Sequence, residues 1–209
     1  MTTIVEPEPA AAAAIFGARI DSARAFADAL AREGEERGLI GPLEPPRLWT
    51  RHVINCALVA PVLSPGVVGD IGSGAGLPGI VLAIARPDVR FVLIEPMERR
   101  VVWLEEQVRA LGLDNVEVVR ARAEDVKLPR KLDQVTARAV SAFRKLAPIA
   151  APLVRDGGEL VLMKGENASA EIDAAAKEIR RLHLSDVHVE VLGEGVVDEV
   201  TRIIRATVR

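Results

Sequence analysis

Tyrosine is missing from this sequence, and four phenylalanines with two tryptophans bring the aromatic share to only 3%. The core must therefore be aliphatic, and any stacking of bases on aromatic rings has few residues to draw on. A single cysteine, Cys56, excludes an internal disulfide and a multi-cysteine zinc site. No metal centre is expected, and an unpaired thiol suits a reducing compartment. No apolar run approaches the roughly 20 residues that span a bilayer. The opening MTTIVEPEPAAAAA carries Glu6 and Glu8 where a secretory leader has a basic region. A cytoplasmic location without a membrane partner is expected. Positive charge is not in excess either: 27 Lys and Arg stand against 30 Asp and Glu, a formal charge of −3. Composition thus gives no sign of a nucleic-acid partner, and DNA is not expected.

What is present describes an ordinary globular chain. Its 209 residues are 49% hydrophobic and 27% charged, enough for one domain with a small extension. Residues 1–9 read as a flexible tail. From about Ala10 to Arg37, Phe16, Ile20, Ala23, Phe26 (or Ala27) and Leu30 recur at helical spacing, one stripe of an amphipathic helix. EPPRLWTRHVINCALVAPVL then predicts a second helix, with Trp49, Val53, Cys56 and Ala60 on its buried face.

After residue 66 the rhythm changes. VVGDI, RFVLIE, VEVVR, DQVTAR and GELVLMK read as strands, with helices starting near Pro78, Met97, Ala142 and Ala168. Apolar strands alternating with helices predict an α/β fold whose parallel sheet is covered on both faces. DVHVEVL and VTRIIRATV have no helix between them and should pair antiparallel.

The stretch VVGDIGSGAGLPGIVLAIARP, residues 67–87, carries the chemistry. Gly72, Gly74 and Gly76 follow the first strand, where glycine allows positive φ and lets a ligand touch the backbone. Pro78 suits the first turn of the next helix. GAGLPG at 74–79 satisfies G-x-G-x-x-G, and Glu95 ends the second strand as a ribose-binding acid should, so NAD is one reading. Two features favour another. The glycines begin earlier than in the dinucleotide motif, and Asp70 stands just before them, where a carboxylate would repel pyrophosphate. A sulfonium and an ammonium, as in S-adenosylmethionine, would be welcome there. D-x-G-x-G-x-G followed by an acid on strand two is the methyltransferase arrangement. RARAED at 120–125 ends strand three, and its Ala123–Glu124 pair stands where such folds contact adenine. A solvated helix start is the plainer alternative.

The acceptor is narrowed by absences. After strand four, DQVTARAVSAF lacks the D/N-P-P-aromatic run of enzymes that methylate amino groups on adenine. Cytosine C5 chemistry needs a nucleophilic cysteine, and Cys56 falls on a predicted core face. Guanine N7 needs no base, since its lone pair carries no proton. Arg138, just after strand four, is placed to hold guanine O6 or phosphate and is the candidate catalytic side chain. A surface arginine at a strand end is the alternative.

The runs RHVINCALVAP, DIGSGAGLPGIVLAIARPD, LIEPMERRVVWLEE, ARAVSAF and LMKGE resemble the glucose-inhibited division protein B family, the 16S ribosomal RNA guanine-N7 methyltransferases. The resemblance spans about residues 15 to 207. It implies a class I S-adenosylmethionine-dependent, Rossmann-like methyltransferase domain over 67–209, forming one compact unit with a helical extension over 10–66. The implied substrate is a guanine in the decoding-centre loop of 16S ribosomal RNA, free or in the small-subunit particle. By motif position the resemblance gives Gly72, Leu77, Ala123, Glu124 and Arg138 to the cofactor site, beside Asp70, Gly74 and Glu95 from the residues themselves. Arg51, His52, Arg99, Arg100 and Lys164 match positions expected to face RNA. Many members read R-H-x-x-D-S where this chain has Asn55 and Cys56, so an ionic role at 55 does not carry over, and His52 either contacts substrate or packs beneath the loop. Arg120, Arg122, Lys127, Arg130, Lys131, Arg144 and Lys145 are expected to form a basic rim at the strands' carboxyl ends.

Overall fold

The computed structural model describes residues 5–209. One seven-stranded sheet organises it, in the order β3-β2-β1-β4-β5-β7-β6. The strands are β1 (Val67–Ile71), β2 (Arg90–Ile94), β3 (Val116–Val119), β4 (Leu132–Ala137), β5 (Val154–Lys164), β6 (Ser185–Leu192) and β7 (Thr201–Thr207). β1 through β5 pair parallel, while β7 runs antiparallel between β5 and β6. The expected C-terminal hairpin is present, with β7 inserted inside the edge strand β6. This is the expected mostly parallel sheet with one antiparallel hairpin. The chain order reverses between β1 and β4, and the ligand site of an open α/β sheet opens at such a reversal.

Period-two alternation divides the strands between two cores. Val68, Phe91 and Leu93 pack on one face with the N-terminal segments, α4 (Gly79–Ala85) and α5 (Glu98–Leu111). Val67, Ile71, Val92 and Ile94 pack on the other with α6 (Phe143–Ala150), α7 (Ala168–Ala174) and α8 (Ala176–Arg181). Because both faces are covered, these strands are continuously apolar, which made them legible.

The N-terminal region departs from expectation. The single helix over 10–37 is two, α1 (Ala11–Phe16) and α2 (Ile20–Glu33), joined by a 3-10 turn at Gly17–Arg19 where Gly17 has φ of 51°. Of the expected tail, residues 1–4 lie outside the described residues. Residues 5–9 are tied down: Glu6 Oε2 accepts from the Thr50 N–H at 3.0 Å, and Glu8 pairs with Arg24 at 2.6 Å. The second predicted helix is a string of short turns, a π-helix at Leu48–Ile54 running into a single α turn, α3 (Asn55–Ala57), and a 3-10 turn at Ala60–Val62. The wider π turn brings Leu48, His52 and Ile54 inward besides the predicted Trp49 and Val53.

The extension packs on the glycine loop itself. Phe26 is fully buried, and its ring edge lies 3.3 Å from where a Cβ on Gly76 would stand. Phe26→Ala should cost about 3–5 kcal/mol and lower the denaturation midpoint of one cooperative transition. Two resolved transitions would mark the extension as an independent unit.

Candidate functional site

Asp70 lies on the central strand, paired to Leu93 of β2 and Thr136 of β4. Its side chain points beneath the loop rather than out of it. The Gly79 N–H, first in α4, donates to Asp70 Oδ2 at 3.0 Å, and Oδ1 is buried with no partner. Asp70 ends the strand as expected, but it is 0% exposed and so lies under the loop, off its open face. Alternation directs its side chain into the first core. Burial pushes this carboxyl up to about 7, against the pull of the Gly79 N–H. Glycine at 79 is enforced, since a Cβ there would fall 2.5 Å from Asp70 Oδ2.

Glu95 closes the loop from the other strand. Its Oε2 accepts from the Gly74 N–H and its Oε1 from the Met97 N–H, both at 2.9 Å. Glu95 is itself buried, 1% exposed, so its carboxylate is committed to the backbone of the loop. Gly72, Gly74 and Gly76 have φ of 69°, 53° and 92°, the left-handed backbone that glycine adopts without strain. Leu77 is buried at the loop's end. Trp103 of α5, fully buried, donates from Nε1 to the Ala75 carbonyl at 3.0 Å, and the Arg37 guanidinium lies 5.3 Å over its ring. Sequence reading missed Trp103; a lone tryptophan eight residues past the strand-two acid was its only signal. β3 ends at the same edge, bonded through Val119 O to the Glu95 N–H at 3.1 Å. Beyond it Ala123 is buried and Glu124 exposed.

A cleft of about 470 Å³ opens beside this loop, lined by Arg51, Asn55, Arg138, Val140, Lys164 and Glu199 among others. Val140 joins the two regions: it lines the cleft, and its Cγ2 lies 3.1 Å from where a Cβ on Gly72 would be. Arg138 follows β4 at the cleft wall. Its Nη2 donates to His52 Nδ1 at 2.7 Å and to the Arg51 carbonyl at 3.3 Å, and its Nη1 reaches Cys56 Sγ at 3.5 Å. Burial pushes the Cys56 thiol up to about 11, in keeping with a core residue rather than a nucleophile.

The residues expected to face RNA divide. Arg51 and Arg99 are exposed. Arg100 turns back onto the loop, its Nη1 4.0 Å from the Cβ position of Gly74 and its Nε buried without a partner. His52 faces inward, between Arg138 and Glu44 Oε2 at 2.7 Å. Burial, with the Arg138 cation, lowers its pKa to about 4. Lys164 has a side chain only 7% exposed, donating to the Ser141 carbonyl at 2.6 Å and paired with Glu171 at 2.9 Å. His52 and Lys164 are therefore both tied to protein partners at the cleft. Glu44 and Glu171 were missed because nothing local marks them. Arg130 and Lys131 precede β4, so they lie at the strands' amino ends and not on the expected rim. Arg120, Arg122, Lys127, Arg144 and Lys145 are exposed. Among the described residues no cluster of metal-binding side chains occurs, and no helix is long and apolar enough to cross a membrane.

A sequence profile described as rRNA small subunit methyltransferase G matches residues 19–201. The chain belongs to this family. It is 72% identical over its whole length, and that of the relative, to "Ribosomal RNA small subunit methyltransferase G" of Leifsonia xyli subsp. xyli. It is 50% identical to the protein of the same name from Corynebacterium glutamicum, over 94% of this chain and 90% of the relative. Among solved structures it is similar to "M. jannaschii TYW2 in complex with AdoMet", with TM-score 0.58, 20% identity and 76% of each chain covered. It is also similar to a SAM-dependent O-methyltransferase from Thermotoga maritima, with TM-score 0.58, 15% identity, and 87% of this chain and 70% of that chain covered. These two likenesses concern the fold. Family membership makes the chain a methyltransferase with S-adenosylmethionine as cofactor, and the loop fits that cofactor. Its positive-φ glycines leave the backbone bare, two acids underlie it, and among the described residues no basic side chain donates to their carboxylates.

Asp70 makes the stability of the protein depend on pH. Its folded pKa lies above its unfolded value of 3.8, so the native state holds the extra proton between about 4 and 7. Its contribution to stability is full below that window and is lost as pH rises through about 7. Asp70→Asn should gain on wild type by a few kcal/mol from pH 4 to pH 7, since each tenfold change in proton affinity corresponds to about 1.4 kcal/mol. Paired denaturant titrations across that range measure it, and a difference constant with pH would contradict it.

Proposed function

We propose that this chain transfers a methyl group from S-adenosylmethionine to N7 of a guanine in the decoding-centre loop of 16S ribosomal RNA, free or within the small-subunit particle. The observation that carries this reading is Arg138, fixed at the wall of a cleft beside the cofactor loop by contacts to neutral acceptors alone. Family membership supports the ribosomal substrate. A ribosomal RNA substrate also fits a cytoplasmic protein.

The bound cofactor supplies a methyl group on a sulfonium, an electrophile that a lone pair can displace. Guanine N7 offers an in-plane lone pair and has no proton to lose, so no side chain has to serve as base. The work left to the protein is orientation. Arg138 is suited to grip guanine O6 or a neighbouring phosphate. A bidentate grip on O6 and N7, common in groove recognition, would occupy the attacking lone pair. The positive charge that appears on the purine also favours keeping the guanidinium off its imidazole edge. Gly72, Gly74, Leu77, the Ala123–Glu124 segment and Arg138 would hold the cofactor, with Asp70 and the equally buried Glu95 acting from beneath. The fully buried Asp70 cannot be a contact of the open face, and its part is to shape the loop and set its charge. Val140 would form the wall between cofactor and acceptor. Exposed Arg51 and Arg99 remain for phosphates, and with few aromatics the binding depends on charge and shape.

Mass-spectrometric mapping of N7-methylguanosine in small-subunit RNA from a deletion strain, with and without this chain, tests the reading. One decoding-loop guanine should gain the methyl only when the chain is present. Arg138→Met should lower transfer about tenfold to hundredfold, the scale of a hydrogen bond to a charged group. A methyl group on another base or atom would overturn the assignment.

A further inference from the structure

We propose that Glu44 and His52 form a positioning pair that aims the Arg138 guanidinium into the cleft while leaving its charge unneutralised. The inference rests on the methyl-transfer reading above, but it makes a statement about the free protein that can be tested alone.

The hydrogen bonds fix the chemistry of the ring. A guanidinium can only donate, so His52 Nδ1, 2.7 Å from Arg138 Nη2, must offer a lone pair. The ring proton then belongs on Nε2, which donates to Glu44 Oε2 at 2.7 Å. Partial burial works against ionisation of Glu44, but hydrogen bonds from Arg47 and His52 outweigh it and keep the carboxylate charged. The tautomer is thus set from both ends. A protonated ring would bring a second cation against Arg138, and burial already disfavours it.

The arrangement solves a conflict in holding a cation at an RNA site. A carboxylate in direct contact would fix Arg138 well but would cancel the charge the substrate needs. Here every hydrogen-bond partner of Arg138 among the described residues is neutral: the His52 ring, the Arg51 carbonyl and the Cys56 thiol. The negative charge is set one ring further away, on Glu44, where Arg47 at 3.0 Å and Arg51 at 3.4 Å share it. Asn55, on the following turn and lining the same cleft, is an amide and adds no charge. The groups facing the His52 ring are therefore Glu44 on one side and Arg138 on the other, with Arg51 as the nearest further cation.

The test has two arms. In the free protein at pH 7, nitrogen NMR of the His52 ring should report the neutral tautomer protonated on Nε2, and Arg138→Met should shift the Nδ1 resonance. In methyl-transfer assays on small-subunit particles, His52→Asn places an amide oxygen near the Nδ1 position and should retain more activity than His52→Gln, whose amide reaches toward Nε2. His52→Leu should lose about tenfold or more. A ring that is charged or protonated on Nδ1 would overturn the proposal. So would wild-type turnover in His52→Leu, or His52→Gln matching His52→Asn. Should the leucine variant not fold, the NMR arm on the wild-type protein still decides. Absence of transfer by the wild-type protein would count against the methyl-transfer reading alone, which the ring-nitrogen measurement does not depend on.

Discussion

The Gly79 N–H and the Asp70 carboxylate meet beneath the glycine loop, and the geometry of the site follows from that meeting. The bond ties the start of α4 to the end of the central strand. It leaves no room for a side chain at 79 and sets where the chain between them must pass. Other contacts finish the loop: Glu95 holds the Gly74 N–H, Trp103 holds the Ala75 carbonyl, and Phe26 closes on Gly76. They come from the end of β2, from α5 and from α2, so three separate parts of the chain converge on one bare stretch of backbone.

The consequence is electrostatic. Two buried acids lie under the loop, where charge is poorly screened, and Asp70 is ionised there only as pH passes about 7. A diphosphate would meet them unfavourably, whereas a ligand with positive groups would be favoured. Across the Val140 wall the sign reverses, because Arg138 is held by neutral partners. On the proposed reading, one site would present an acidic floor to its cofactor and a cation held by neutral partners to its acceptor. An overall charge of −3 conceals this division.

Much of the fold was legible because the covered parallel strands read as unbroken apolar runs and the hairpin lacked a helix between its strands. The glycine loop and its two acids were legible as well. What the sequence could not convey was direction. Asp70 was found at the strand's end, but its face depends on packing between β1 and α4. The inward pairing of His52 and Lys164 was not legible because their partners, Glu44 and Glu171, are brought in by tertiary contacts. The π turn at Leu48–Ile54 was hidden because apolar spacing predicted an ordinary helix, and that wide turn is what carries His52 inward. Arg130 and Lys131 were misplaced because the connection after β3 returns to the amino ends of the strands before β4 begins.

The most direct measurement is calorimetric titration of the protein with S-adenosylmethionine and with NAD near pH 7, repeated in buffers of different ionisation heat. A positive ligand over the buried acid should lower the Asp70 pKa from about 7, so S-adenosylmethionine should bind with net release of protons. That release should fade at higher pH and vanish in Asp70→Asn, and NAD should give no binding heat. Saturable binding of NAD, or S-adenosylmethionine binding with the same proton balance in wild type and Asp70→Asn, would contradict the account.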